Sequence, residues 1–288
     1  MPLLLSPSKI NVGLFVLGRR PDGYHELETL FARVALSDRV WVEEGAHLEV
    51  QCHPIGPQGA ENLVYQALRA VERRLGRPLP LRIRVEKRVP IGAGLGGGSA
   101  NAAVVLRWLV QARGVPQALA REVARSVGAD VAFFFEDFAW ARGRGRGDEL
   151  EPLEDLPQEI PLLLVVPPFG VSTAQAYQAL ARSGVYTPAE EARQRMAHLV
   201  ASLRARRWTE AARALANDFE PLVFRWHPEL RELKVHLKRW GAALVSLSGT
   251  GAALFGLFPE GGPPELPLPP GYRGFWTQIG PPQDHEGS

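Results

Sequence analysis

Two charged side chains stand where charge is hard to place. Lys9 sits between Pro7 and the apolar run INVGLFVLG, and Asp130 follows Gly128 and precedes VAFFF. A carboxylate among apolar residues must be paired or hydrogen-bonded, or its charged form becomes costly. An ammonium beside it would account for both positions and leave a base able to orient an alcohol and take its proton. Each residue alone has a plainer reading: Lys9 as a strand-edge gatekeeper, Asp130 as a helix cap or structural ion pair. Between them lies GAGLGGGSANAA, residues 92–103, where glycines at 92, 94, 96, 97 and 98 precede a run of helix formers. Backbone N–H groups from Gly94 to Gly98, Leu95 included, are able to converge on one anion, with Ser99 as cap or hydroxyl donor. The helix start adds partial positive charge. A Cβ at Gly96 or Gly97 would hold phosphate oxygens out of reach. The stretch predicts a phosphate cradle.

Other readings of the glycines are weaker. Gly92, Gly94 and Gly97 fit the dinucleotide pattern G-x-G-x-x-G, but no βαβ unit surrounds them and no acid follows at about 20 residues. GAGLGGGS fits the P-loop pattern except that Gly98 stands at the lysine position. A glycine turn that simply packs a helix against a strand is the structural alternative. The cation must come from elsewhere, and the chain has only four lysines: Lys9, Lys87, Lys234 and Lys238.

The elements that must position these groups read as α+β. LLLSPSKINVGLFVLG predicts a strand, a polar break and a second strand; PDG makes a turn, and LETLFARVAL resumes strand character. ENLVYQALRAVERRLG is a helix stopped by Gly76, LRIRVE alternates as a strand, and SANAAVVLRWLVQAR is a helix ending near Gly114. PQALAREVARSVG is another helix, ADVAFFF reads as a strand, and RGRGRG is a solvated hairpin between strands. LEDLPQEIP, with its prolines and acids, marks a boundary: residues 1–153 and 154–288 are expected as two domains. LLLVVPP follows as a strand, STAQAYQALA as a capped helix, and helices fill roughly 188–240. AALVSLSGTGAALFGLF reads strand, turn, strand; GFWTQIG is the last strand, and the final PPQDHEGS is expected to fray.

Bulk properties narrow the function classes. The 288 residues carry a formal net charge of +2 and 45% hydrophobic residues. No basic excess argues for a nucleic-acid partner. Cys52, the single cysteine, excludes an intrachain disulfide framework and a multi-cysteine metal site. No run approaches the roughly 18–20 apolar residues of a membrane span, and the start has no basic region of the kind that opens a signal peptide. A cytoplasmic protein with no membrane partner is expected.

SPSKINVGLFVLGRRPDGYHELETLF, VPIGAGLGGGSANAA with GADVAFFF, and LSGTGAALFGLF occur in that order and resemble the three motifs of the GHMP small-molecule kinases. The first segment is the most specific. It resembles the branch acting on 4-diphosphocytidyl-2-C-methyl-D-erythritol in non-mevalonate isoprenoid biosynthesis, and the likeness runs from Lys9 to about Phe258. The resemblance implies an ATP-binding N-terminal domain like ribosomal S5 domain 2 and a substrate-binding, ferredoxin-like C-terminal domain. It implies ATP as co-substrate, Mg²⁺ with it, and the 2-hydroxyl of the methylerythritol moiety as acceptor. By the same resemblance Asp130 is the base and Lys9 its partner. Gly92 and Gly94 to Ser99 hold the triphosphate, and Asn62 meets the adenine. Asn11, Tyr24, His25, Thr173 and Tyr177 hold the cytidine diphosphate substrate, with Tyr24 and His25 at the cytosine. The Ser248–Gly251 loop is expected beside the cradle; no metal ligand is assigned. Two other functions remain open on sequence: a GHMP kinase for homoserine, mevalonate or a sugar, and a non-catalytic RNA-binding protein with an S5-like domain. RRPDGYHE argues against the first, Lys9 and Asp130 beside an intact cradle against the second.

Overall fold

The chain is described by a computed structural model over residues 1–263 and 267–282. The first half comprises β1 (Leu3–Arg19), β2 (His25–Glu44), β3 (Glu49–His53), α1 (Leu63–Leu75), β4 (Leu81–Glu86), α2 (Gly97–Arg113), α3 (Gln117–Val127), α4 (Ala129–Glu136), β5 (Trp140–Gly145) and β6 (Glu149–Pro152). The second comprises β7 (Pro161–Val166), α5 (Thr173–Ser183), α6 (Ala189–Arg204), α7 (Trp208–Ala214), α8 (Glu220–Trp226), α9 (Pro228–Arg239), β8 (Leu244–Leu247), β9 (Leu254–Leu257) and β10 (Arg273–Gln278). The mixture of helix and strand is the α+β pattern expected.

β2 organises the first sheet. One of its edges pairs with β1 throughout; the other takes β5 along Leu27–Ala32 and β4 along Arg39–Glu44. β1 differs from expectation, because the polar break is absorbed into one continuous strand. Register shifts at Pro7/Ser8 and between Asn11 and Leu14 let out the mismatched residues without ending the pairing. Helices α1 to α4 pack on this sheet around Leu68, Ile83, Ala103, Leu106 and Phe133. The second sheet, ordered β10-β7-β9-β8, is antiparallel throughout.

ADVAFFF is helix, not strand. Gly128 ends α3 and opens α4, whose Val131, Ala132, Phe133, Phe134 and Phe135 are all buried. A short apolar run has no period to distinguish the two, and a helix buried on most sides shows no polar face. This change matters, because it places Asp130 in the first turn of α4.

One core cluster crosses between the halves. Ile10, Val12 and Phe15 of β1 share it with Leu162 and Leu164 of β7, Phe255 of β9, and Met196 and Leu199 of α6. Among the described residues no helix is long and apolar enough to cross a membrane. Residues 283–288 of the tail expected to fray lie outside the described residues.

Candidate active site

The glycine stretch becomes a loop entering α2. Gly96, left-handed at φ +70°, is the N-cap, so the helix starts at Gly97. Ser99 therefore lies inside the first turn and does not cap it; the positive φ of Gly96 has already supplied the break. The first helical N–H groups, at Gly97, Gly98 and Ser99, have no intrahelical partner. The first intrahelical bond is donated by Ala100 to the Gly96 carbonyl at 2.9 Å.

The glycines answer to different neighbours. A Cβ on Gly94 would lie 2.1 Å from the Ser248 carbonyl oxygen. One on Gly96 would meet Phe134 at 3.0 Å and the Lys9 stem at 3.1 Å, and one on Gly97 would meet Val89 at 2.9 Å. Sequence reasoning cleared Gly96 and Gly97 for phosphate, whereas the structure clears them for protein. Two are open: a Cβ on Gly98 would touch only Leu63, at 3.8 Å, and one on Gly92 would meet nothing within 4 Å.

Three adjoining cavities surround this loop. The first, about 430 Å³, is lined by Asn62, Lys87 and Gly92 through Ser99, Leu95 included. The second, about 310 Å³, holds Lys9, Asn11, Asp130, Gly249 and Thr250. Asp130, Ser99, Gly94 and Thr173 border both. The third, about 760 Å³, is lined by Tyr24, His25, Thr173, Tyr177 and Gln178. It shares Leu27, Arg146, Thr173 and Tyr177 with the second.

At the centre the Lys9 ammonium lies 3.5 Å from Asp130 Oδ2, with the lysine side chain 5% exposed and the aspartate 33%. Lys9 Nζ also donates to Asn11 Oδ1 at 2.6 Å. Asn11 Nδ2 donates to Thr29 Oγ1, which donates on to the Gly13 carbonyl. The Lys9 N–H donates to the Leu95 carbonyl at 3.0 Å, tying β1 to the cradle. The lysine is thus fixed by its backbone, its amide neighbour and its counter-ion. Asp130 is the freer partner, open toward the cavity.

The Ser248–Gly251 loop closes the other side. Ser248 Oγ donates to the Gly94 carbonyl at 2.8 Å, and the hydroxyls of Thr250 and Thr173 are 3.1 Å apart. In the third cavity, the rings of His25 and Tyr177 are 4.8 Å apart and Tyr177 meets Phe219 edge-on. Burial, with the Asp130 charge in support, raises the Tyr177 phenol well above its usual range. Burial, and then the charge of Arg19, lower the His25 imidazole. His25 Nε2 is buried and has no hydrogen-bond partner among the described residues. Tyr24 is 57% exposed, with the Arg146 guanidinium 5.0 Å from its ring centre.

Asn62 lines the first cavity as the N-cap of α1. Its Oδ1 accepts from the Val64 N–H at 2.8 Å and its Nδ2 donates to the Pro57 carbonyl at 2.9 Å. Two cavity residues escaped the sequence reading. Lys87 stands beneath the cradle, paired with the buried Asp38, which also accepts the Arg88 and Val89 N–H groups. Its one local signal was being a rare lysine just after an alternating strand. Arg146 borders two cavities while held by Asp148 at 2.6 Å. In RGRGRG it looks equivalent to Arg142 and Arg144, which instead pair with Glu28 and Glu151.

Comparison with known proteins fits this arrangement. The family model "GHMP kinases N terminal domain" matches residues 62–137 and "GHMP kinases C terminal" matches residues 199–266. The 4-diphosphocytidyl-2-C-methyl-D-erythritol kinase of Salinibacter ruber is 40% identical over 268 residues, 90% of this chain and 91% of that one. That of Moorella thermoacetica is 41% identical over 269 residues, 91% of this chain and 92% of its own. A crystal structure of 4-(cytidine 5'-diphospho)-2C-methyl-D-erythritol kinase superposes with a TM-score of 0.73 at 34% identity, covering 97% of this chain and 99% of that one. Methanococcus jannaschii mevalonate kinase, at 13% identity and a TM-score of 0.69 over 96% of this chain and 98% of its own, shares the fold alone. The chain belongs to the 4-diphosphocytidyl-2-C-methyl-D-erythritol kinase family and has the two-domain fold of the GHMP kinases, enzymes that phosphorylate small molecules with ATP.

Proposed function

We propose that the protein transfers the γ-phosphoryl group of ATP to the 2-hydroxyl of 4-diphosphocytidyl-2-C-methyl-D-erythritol. The observation that carries this reading is the row of three joined cavities with Lys9 and Asp130 at the middle. ATP enters at the glycine loop, its phosphates on the free N–H groups that open α2 and its adenine toward Asn62. Asp130 takes the proton of the acceptor hydroxyl as the alcohol oxygen bonds to the γ-phosphorus and the bond to the β-phosphate oxygen breaks, releasing ADP. Lys9 gives the carboxylate a fixed counter-charge and direction. The domains are taken as residues 1–153 for ATP and 154–288 for substrate.

Magnesium would ride on the triphosphate. Among the described residues no three acidic, histidine or cysteine side chains gather into a metal site. Ser99 and Asp130 are oxygen donors bordering both the nucleotide and the reacting cavities. That donor set fits an ion coordinated mostly by phosphate and water: Ser99 and Asp130 would help hold it, and it would supply charge neutralisation for the triphosphate. The cytosine is placed between Tyr24 and Tyr177, with the orphaned His25 Nε2 facing its hydrogen-bonding edge. Arg146, between base pocket and reacting centre, lies where the diphosphate linker would need a cation.

The test is ADP release by purified protein with ATP, Mg²⁺ and a panel of acceptors. Turnover is expected with the cytidylylated substrate and very little with methylerythritol phosphate, which lacks the remote binding energy that positions the hydroxyl. Equal rates with homoserine or mevalonate would sink the cytidine assignment and spare the kinase.

Two predictions belong here. Gly98→Leu should fold normally yet raise the KM for ATP by about 10- to 30-fold, the equivalent of roughly one lost phosphate contact at 1.4 kcal/mol per decade. Gly97→Val should instead lower Tm, because its side chain enters Val89. Thermal melts beside ATP titrations decide between them; a Gly98 variant with unchanged ATP affinity removes the cradle from that face.

The second concerns pH. Burial and Arg19 both disfavour the charged ring, so His25 is neutral at pH 7 and protonates below its ordinary value of about 6.5. The KM for the cytidine substrate should stay flat above pH 7 and rise only as pH falls below that ordinary value, with His25→Asn flattening the profile. A KM that instead rises toward high pH rules out the neutral-ring role.

A further inference from the structure

The short segment before α8 meets the base pocket through the edge of Phe219 against Tyr177, and it also reaches both walls of the reacting centre. Asn217 is 3% exposed. Its Nδ2 donates to the Gly249 carbonyl at 2.8 Å and to the Leu247 carbonyl at 3.1 Å, and its Oδ1 accepts from the Phe219 N–H at 2.9 Å. The backbone on either side of Asn217 grips β1. Leu14 N–H donates to the Ala216 carbonyl at 2.9 Å, and Asp218 N–H donates to the Leu14 carbonyl at 3.0 Å. The Asp218 carboxylate then accepts from the Val16 N–H at 2.7 Å and from the Thr187 hydroxyl at 2.8 Å.

β1 carries Lys9 and Asn11. The loop held by Asn217 carries Gly249, where a Cβ would lie 3.5 Å from Asn11 Oδ1 and 3.6 Å from Lys9 Nζ. The strand and the loop come from different sheets, and among the described residues no hydrogen bond joins Gly249 directly to Lys9 or Asn11. On the cradle side Ser248 bonds Gly94 and Lys9 bonds Leu95; from behind, a strap holds strand and loop, with backbone bonds on the strand and side-chain bonds on the loop.

We propose that Asn217 is a positioning residue for phosphoryl transfer: its carboxamide sets the Ser248–Gly251 loop against Lys9, so that the reacting groups meet in register. This rests on the function proposed above and adds a residue that touches neither substrate. Displacement of such a wall by about an ångström costs on the order of a hundredfold in rate even when the chemistry is untouched.

Asn217→Asp keeps the shape but removes both donated bonds and faces two carbonyls with an acceptor. Asn217→Ser is smaller and neutral, and its hydroxyl cannot span both carbonyls. In whichever variant folds, kcat should fall by about 10- to 100-fold, while calorimetric affinity for CDP in the base pocket, to which Asn217 is linked through Phe219 and Tyr177, stays at the wild-type value. A role confined to stability would lower Tm and leave kcat per folded molecule unchanged. That result in either folded variant overturns the proposal, as does equal loss of CDP binding, which would signal general collapse. If both variants fail to fold, hydrogen exchange in wild type decides: the Asn217 side-chain amide protons, which bond the Leu247 and Gly249 carbonyls, must be protected alongside the Asp218 amide. Fast exchange of those side-chain protons beside a protected Asp218 means the strap does not hold the loop. Wild-type turnover on the cytidine substrate in the same assay tests the parent reading separately.

Discussion

Asp130→Asn lowers kcat by about 10²- to 10⁴-fold, the span for loss of a positioned base. The amide keeps the size of the side chain and its place in the first turn of α4, but it has no basic oxygen for the hydroxyl proton. Lys9 stays anchored by Asn11 and the Leu95 carbonyl, so the site keeps its shape. ATP affinity should change little, since the N–H groups of the cradle belong to α2. Single-turnover measurements under conditions where chemistry limits the rate give the comparison. A variant keeping more than about a third of wild-type kcat would remove Asp130 from proton transfer.

Tyr177→Ala raises the KM for the cytidine substrate by roughly 5- to 150-fold, because stacking a base on an aromatic ring contributes about 1–3 kcal/mol. Tyr177 sits at the wall between the base pocket and the reacting cavity, supported edge-on by Phe219. The KM for ATP should barely move. Tyr177→Phe is the control: the ring stacks without its hydroxyl, so its KM should stay near wild type. An equal rise for Tyr177→Phe and Tyr177→Ala would show that the phenol, not the ring face, meets the substrate.

How much of this was legible in the residues depends on the range of the signal. The glycine loop and the Lys9–Asp130 pair were visible because glycine spacing and a charge in an apolar run are local features. The reasons for individual glycines were not. Gly94 and Gly97 make room for Ser248 and Val89, and only the fold brings Ser248, from the other half of the chain, against Gly94. α4 was misread because five apolar residues in a row carry no period. Arg146 and Asn217 were hidden for another reason: an arginine among arginines, or a lone asparagine in ALANDFE, gains meaning only from partners distant in sequence.

The core cluster shared by β1, β7, β9 and α6 has a mechanical consequence. A hinge needs two bodies with a wet or sparsely packed seam, and here the seam beneath the site is filled with Ile10, Phe15, Leu164 and Phe255. Such a filled seam opposes a hinge between the halves and favours their unfolding together. On the function proposed above, the span from cytosine pocket to phosphate cradle would then be a length set once at folding, a rigid gauge that admits molecules whose base-to-hydroxyl reach fits.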